Sequence, residues 1–289
     1  MSYSISNNIK KKFNFAKEKI KYYNGYNLTP YTTGSNLLNL SPGPTALPQV
    51  IMKDIIDEFN NNWTLGATPL EISHRSPEFL IIKNSCEQLF RDLLKIPNNF
   101  SLIWTHGGGH GQFSAVPLNL VKSIEDEPDY IVTGTWSNRS YLEARKFCHA
   151  NKITEKEDLT EINTINRDLL IESIKNSKSE YIYICSNETI NGIEFREDGL
   201  SIPSKKETNN KKMIVDMSSD ILSKNLNWNN IDVAFACAPK NFGFPGSAIT
   251  IIENSFLTDE YNSYYKNNIP SLLDWKLIKE SNSFWNTLP

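Results

Sequence analysis

The chain has 289 residues, of which 39% are hydrophobic and 22% are charged, and its formal net charge is −3. That length allows one large domain or two modest ones around a sizeable core. The near-neutral charge balance does not favour nucleic acid or a membrane surface as a partner. No apolar run approaches the roughly 18 residues that a membrane helix needs, so we expect a soluble protein in the cytoplasm.

The cysteines and the first residues support the same compartment. The four cysteines are widely spaced and form no CxxC pair, which predicts no metal site and no disulfide framework. Residues 1–36 are rich in Lys and Asn, lack arginine, and contain no continuous apolar core of a secretory signal. We therefore expect a flexible extension over 1–36 and a folded domain over 37–289.

From about residue 50 onward, helix-like and strand-like segments alternate. Apolar residues at helical spacing predict helices over 47–60 and 77–95. Short apolar runs that end in polar or glycine residues predict strands in SLIWTH, DYIVTGTW, EYIYICSN, KMIVDMSS and DVAFACAPK. This alternation is typical of an α/β fold with a mostly parallel sheet covered by helices on both faces. Ligands of such sheets bind beyond the carboxyl ends of the strands.

Two of these runs are followed by residues that suggest a cofactor. Lys240 ends one apolar run, where it can form a Schiff base with an aldehyde cofactor or simply reach solvent. Asp216 closes the run MIVD, where it can pair with a protonated pyridine nitrogen or cap a helix. A lysine and an acid at one sheet edge are the combination that pyridoxal 5′-phosphate (PLP) requires.

Other strand ends carry weaker signals. Gly109 and His110 lie in HGGGHG, whose backbone N–H groups suit a phosphate, although the spacing does not match the GxGxxG dinucleotide fingerprint. Trp136 could stack on an aromatic cofactor ring or pack in the core. Thr189 could donate to a ring hydroxyl or belong to a turn.

The dipeptide of His74 and Arg75, in EISHRSPEF, is the best anion-binding pair in the chain. Arginine binds phosphate or carboxylate with two parallel hydrogen bonds. The same dipeptide before Ser-Pro also fits a solvated helix start, so both interpretations stay open here.

Together these segments resemble the phosphoserine aminotransferase family of class-V, PLP-dependent enzymes of fold type I. The resemblance runs from about Leu38 to the last residue. Its motifs are, in chain order, NLSPGPTALP, EISHRSPEF, HGGGHGQFSAVPLNL, DYIVTGTWS, SNETINGIEF, VDMSSDIL, ACAPKN and SLLDWK with the final NTLP.

The resemblance implies an activity and a role for each residue. The activity is reversible transamination between 3-phosphohydroxypyruvate with glutamate and phosphoserine with 2-oxoglutarate, in serine biosynthesis. By position, Lys240 matches the Schiff-base lysine that also moves protons, and Asp216 matches the pyridinium partner. Trp136 matches the ring-stacking residue and Thr189 the donor to the ring oxygen, while Gly109 and His110 fall on the phosphate-binding loop.

Further matches imply shared active sites. His74 and Arg75 match residues that bind the substrate phosphate. Asn286 and Thr287 match a pair that reaches the cofactor phosphate of the neighbouring subunit. We therefore expect a homodimer that acts on small-molecule substrates.

The chain also departs from the family pattern. Pro239 replaces a Gln that contacts the cofactor phosphate, and His110 replaces an Arg or a small residue. The sequence stops at Pro289, where family members continue into a small C-terminal domain, so we expect that domain to be largely absent. Two hypotheses follow: a working aminotransferase, or a catalytically degenerate, truncated homologue that acts as a PLP-binding or dimerising remnant.

Overall fold

The computed structural model describes Gly43 and residues 47–60, 68, 71–153, 166–196 and 201–283. The chain divides into two compact units, Met1–Leu93 and Leu94–Pro289. Helix α1 (Gln49–Asn60) and helix α2 (Pro77–Leu94) confirm the two helices predicted first. Helix α2 begins at a proline, whose missing N–H costs nothing at that position, and the Ser76 hydroxyl accepts a hydrogen bond from the Phe79 N–H.

The second unit is built on a seven-stranded sheet. Its strands lie in the spatial order β1 (Phe100–His106), β9 (Ser247–Glu253), β8 (Val233–Cys237), β7 (Lys212–Asp216), β4 (Tyr181–Cys185), β2 (Asp129–Ile131) and β3 (Asn151–Ile153). Strand β9 runs antiparallel to both of its neighbours, and the other pairs are parallel. All strands except β9 therefore end at one edge, which confirms the mostly parallel sheet.

Strand β9 is an element that sequence reasoning did not identify. Only residues 238–246, which include Lys240 and the GFPG turn, separate it from β8. A parallel return would need a crossover of a dozen or more residues, so this short connection forces an antiparallel strand.

Helices and a hairpin complete the described part of the second unit. The helices are α3 (Gly108–Leu120), α4 (Thr135–Ala144), α5 (Arg167–Asn176), α6 (Ala238–Asn241) and α7 (Trp275–Glu280). The strands β5 (Asn187–Glu188) and β6 (Ile193–Glu194) form the hairpin. Within the described ranges, no helix combines the length and apolar character needed to cross a membrane.

The central strands are buried on both faces. Every residue of β4 is buried, and the rings of Tyr130 and Tyr183 stack with centroids 4.8 Å apart. Burial of these apolar and aromatic side chains stabilises the sheet. The polar residues that follow the strands are consequently held on a rigid edge.

Candidate active site

A cavity of 140 Å³ opens at the carboxyl edge of the sheet in the second unit. Among the predicted site residues, those that line it are Gly109, His110, Trp136, Thr189, Asp216 and Lys240. They lie at or shortly after the ends of five strands of the sheet, namely β1, β2, β4, β7 and β8. The convergence follows from the parallel sheet, because parallel strands deliver their carboxyl ends to the same edge.

Asp216 ends β7 and is almost completely buried, with 3% of its surface exposed. Its Oδ1 accepts a hydrogen bond from the Ser218 N–H at 2.9 Å, and its Oδ2 accepts one from the Tyr183 hydroxyl at 3.3 Å. Burial raises the pKa of Asp216 to about 6, and the negative charges of Asp220 and Glu188 act in the same direction. The sheet therefore holds a buried acid that favours a positively charged neighbour.

Lys240 lies in the short helix α6, not at the end of a strand as its sequence context indicated. Strand β8 ends at Cys237, which is the N-cap of α6, and a proline occupies the first turn. The Asn241 side chain donates to the Ile221 carbonyl at 2.6 Å and anchors the helix. Helix α6 thus presents Lys240 to the cavity that Asp216 also lines.

The glycine cluster forms the turn from β1 into α3. Gly107 has φ of +82°, a left-handed conformation that favours glycine, and the helix begins at Gly108. Gly109 and His110 therefore lie in the first turn of a 13-residue helix, where N–H groups lack intrahelical partners. Such a helix start is suited to bind a phosphate.

Trp136 lies in the first turn of α4, whereas its sequence context placed it at the end of a strand. Its indole Nε1–H donates to the Thr189 hydroxyl at 3.1 Å. The Arg139 guanidinium lies 4.9 Å from the centroid of the indole ring. Thr189 belongs to the turn between β5 and β6 and also lines the cavity, and its role as a donor to a ring hydroxyl stays a prediction.

Other predicted residues lie elsewhere. His74 and Arg75 belong to the first unit, in the turn that precedes α2, where the Arg75 N–H donates to the Ser73 hydroxyl at 3.3 Å. Their substrate-binding role stays a prediction. Asn286 and Thr287 lie outside the described residues.

Sequence reasoning missed half of the cavity lining. The residues it did not propose are Phe113, Cys185, Asn187, Ser218, Ser219 and Cys237. Each stands within a few residues of a predicted one, so proximity to the motif ends was the available signal. Burial raises the pKa of both cysteine thiols, so neither is a ready thiolate nucleophile.

Comparison with known proteins identifies the family. The model of the aminotransferase class-V family matches residues 37–262. The chain belongs to the class-V aminotransferases. Phosphoserine aminotransferase of Buchnera aphidicola from Cinara cedri is 40% identical over 88% of this chain and 66% of its own length. A chloroplastic phosphoserine aminotransferase of Arabidopsis thaliana is 36% identical over 89% of this chain and 58% of its own length.

Solved class-V structures agree with the fold. A PLP-bound phosphoserine aminotransferase from Trichomonas vaginalis aligns with a TM-score of 0.75 and 31% identity, over 87% of this chain and 66% of that one. The enzyme from Bacillus circulans aligns with a TM-score of 0.74 and 25% identity. The chain spans about two thirds of the length of these relatives, and its fold is the large-domain part of PLP-dependent fold type I, as the resemblance implied.

Proposed function

We propose that this chain is a PLP-dependent phosphoserine aminotransferase, which exchanges the amino group between glutamate and 3-phosphohydroxypyruvate in serine biosynthesis. The observation that carries the proposal is the pairing of Lys240 and Asp216 on one cavity, delivered by the neighbouring strands β8 and β7. The similarity to phosphoserine aminotransferases over 88% of the chain supports the substrate assignment.

The cavity residues fit the cofactor. Both hydrogen bonds described above for the Asp216 carboxylate come from neutral donors. A buried carboxylate is stabilised further by a positively charged partner. A protonated pyridine nitrogen supplies that charge. Trp136 offers an aromatic face, and the start of α3 offers backbone N–H groups to the phosphate. The donor set therefore matches the ring nitrogen, the ring face and the phosphate of PLP.

Each residue has a distinct task in this proposal. When bound, PLP supplies an electron sink for the bond cleaved at the substrate α-carbon. Lys240 would hold the cofactor through its Nζ and would serve as the base and acid that moves the proton of the substrate α-carbon. Asp216 would keep the ring nitrogen protonated, and Trp136 would offer its indole face to the ring. His74 and Arg75 are proposed to bind the substrate phosphate.

We further propose that the enzyme is a cytoplasmic homodimer with shared active sites. The support is the match of Asn286 and Thr287 to a pair of family residues that reaches the cofactor phosphate of the neighbouring subunit. Light scattering coupled to size exclusion tests the dimer directly, and a monomer at all concentrations would contradict it.

The activity is tested with the purified chain, PLP and phosphoserine. We expect a visible absorption band on PLP addition and release of 3-phosphohydroxypyruvate on phosphoserine addition. Lys240→Ala should lose the band and the covalent adduct trapped by borohydride. The exposed Lys266 provides the matched control, so Lys266→Ala should retain both. Cofactor binding by the wild-type chain without release of the keto acid would favour the degenerate-homologue hypothesis.

A further inference from the structure

Glu188 is a fully buried acid next to the cavity, with 0% of its surface exposed. It ends β5, immediately before Thr189. Its Oε2 accepts a hydrogen bond from the Trp136 N–H at 2.9 Å, and its Oε1 accepts bonds from the Ser137 N–H at 2.6 Å and the Ser137 hydroxyl at 2.5 Å. The carboxylate thus satisfies N–H groups in the first turn of α4, which have no intrahelical partners.

A second side chain from the same loop completes the cap. The Asn191 Oδ1 accepts the Thr135 N–H at 2.8 Å and the Thr135 hydroxyl at 3.1 Å. The N-cap residue itself is Gly134, which contributes no side chain. A Cβ at Gly134 would lie 2.6 Å from the Glu188 Cδ and 2.5 Å from the Asn191 Oδ1. Helix α4 is therefore capped by a different segment, and the glycine makes room for it.

This arrangement couples two cavity residues. The Glu188 carboxylate accepts a hydrogen bond from the Trp136 backbone N–H. The hydroxyl of the next residue in the sequence, Thr189, accepts one from the Trp136 indole N–H at 3.1 Å. Because the indole N–H occupies one lone pair of the Thr189 oxygen, the threonine O–H is left to donate elsewhere. A shift of α4 relative to the 187–191 loop would change the indole position and the hydroxyl orientation together.

We propose that Glu188 is a positioning residue of the cofactor site. By capping α4 from the neighbouring loop, Glu188 fixes the position of Trp136 relative to Thr189. The expected effect of Glu188 on PLP affinity rests on the proposed function. The positioning role itself concerns only residues of this chain. A carboxylate is suited to the task because its two oxygens accept three donors at once, and its negative charge faces a helix N-terminus.

The decisive variant is Glu188→Gln. An amide has one acceptor oxygen and one NH₂ group, and the NH₂ group only donates. In the variant, this group would therefore face either the Trp136 N–H or the Ser137 donors, and that contact could not form a hydrogen bond. In the cofactor-free chain, we expect the Trp136 indole N–H resonance to move toward that of a free indole and to exchange faster with solvent. Trp136→Phe assigns the resonance in the tryptophan-labelled protein. With PLP added, the variant should bind about tenfold more weakly, as loss of one charge-assisted hydrogen bond implies.

The control is a destabilising change outside the cavity. Asn119, on α3, accepts the Trp275 N–H at 3.1 Å and donates to the Leu273 carbonyl at 2.7 Å. Asn119→Ala should lower stability while leaving the Trp136 resonance and PLP affinity unchanged. A merely structural role for Glu188 would make the two variants behave alike.

The outcomes separate the inference from the function. A folded Glu188→Gln with an unmoved indole resonance would overturn the positioning role. If that variant does not fold, Glu188→Asp withdraws the carboxylate by one methylene, and an unmoved resonance there would also overturn it. Failure of the wild-type chain to bind PLP would instead refute the proposed function, while the cofactor-free indole signal still tests Glu188.

Discussion

The buried Tyr183 hydroxyl donates a hydrogen bond to the Asp216 carboxylate across the boundary between β4 and β7, with 3.3 Å between the oxygens. The two strands are paired in parallel, and Tyr183 is fully buried against the ring of Tyr130. A neutral donor of this kind favours the charged form of the acid without neutralising it. The pair therefore tunes the residue that we propose to hold the ring nitrogen.

Tyr183→Phe tests this relationship while keeping the aromatic ring. Loss of the hydroxyl removes a hydrogen bond to the carboxylate, so we expect the pKa of Asp216 to rise further and PLP to bind about threefold to tenfold more weakly. Carboxyl chemical shifts of labelled aspartate during a pH titration measure the pKa, and PLP titration measures the affinity. Equal pKa values of Asp216 in the variant and the wild type would contradict the tuning role of Tyr183.

Asp216→Asn should stabilise the cofactor-free chain near neutral pH. The pKa of Asp216 rises from 3.8 in the unfolded chain to about 6 in the folded one, so the folded state binds this proton more tightly. Stability must then fall as pH rises from about 4 to about 6, by about 3 kcal/mol in total. The amide avoids that loss, and its advantage should vanish below about pH 4.

Urea unfolding at several pH values measures the difference between Asp216→Asn and the wild type. Asp57 is exposed on α1 and provides the control, because Asp57→Asn should change stability little at any pH. The same Asp216→Asn variant should lose transamination, since it cannot hold the ring nitrogen protonated. A stability gain that is independent of pH would contradict the argument.

Gly134→Ala should both destabilise the chain and weaken PLP binding. Its Cβ would come within 2.6 Å of the Glu188 Cδ, so the cap of α4 must shift at a cost of about 2 to 4 kcal/mol. Gly192→Ala separates sterics from backbone strain, because Gly192 has open space around it but a φ of +72°. That control should cost only about 1 to 2 kcal/mol and should leave the Trp136 resonance in place.

Gln112 is a fully buried polar residue that joins three segments of the second unit. Its side chain donates to the Thr105 hydroxyl at 2.9 Å and accepts from the Thr250 hydroxyl at 2.9 Å and the Trp275 indole at 3.1 Å. Gln112→Ala leaves buried polar groups unsatisfied, so we expect a loss of about 3 kcal/mol in unfolding free energy. Gln88→Ala, which removes a partly buried i,i+4 hydrogen bond to Asp92 within α2, should cost only about 0.5 kcal/mol.

Helices α1 and α2 and most of the parallel sheet could be predicted from the sequence because their signals are local. A run such as YIYIC can be buried only as a central strand, and Ser-Pro before an apolar stripe predicts the start of α2. The residue types of Lys240 and Asp216 at successive strand ends likewise pointed to one cavity, because parallel strands share an edge. Helix capping by distant residues leaves no comparable local pattern.

Only the tertiary structure decided where Trp136 and Lys240 lie within their segments. The predicted strands extended to Trp136 and Lys240, beyond the ends of β2 and β8, because an apolar run does not show where backbone pairing in the sheet ends. The role of Glu188 was equally hidden, since its three donors stand some 50 residues away in Trp136 and Ser137. The sequence by itself thus determined which residue types reach the sheet edge, and long-range hydrogen bonding decided how they are held there.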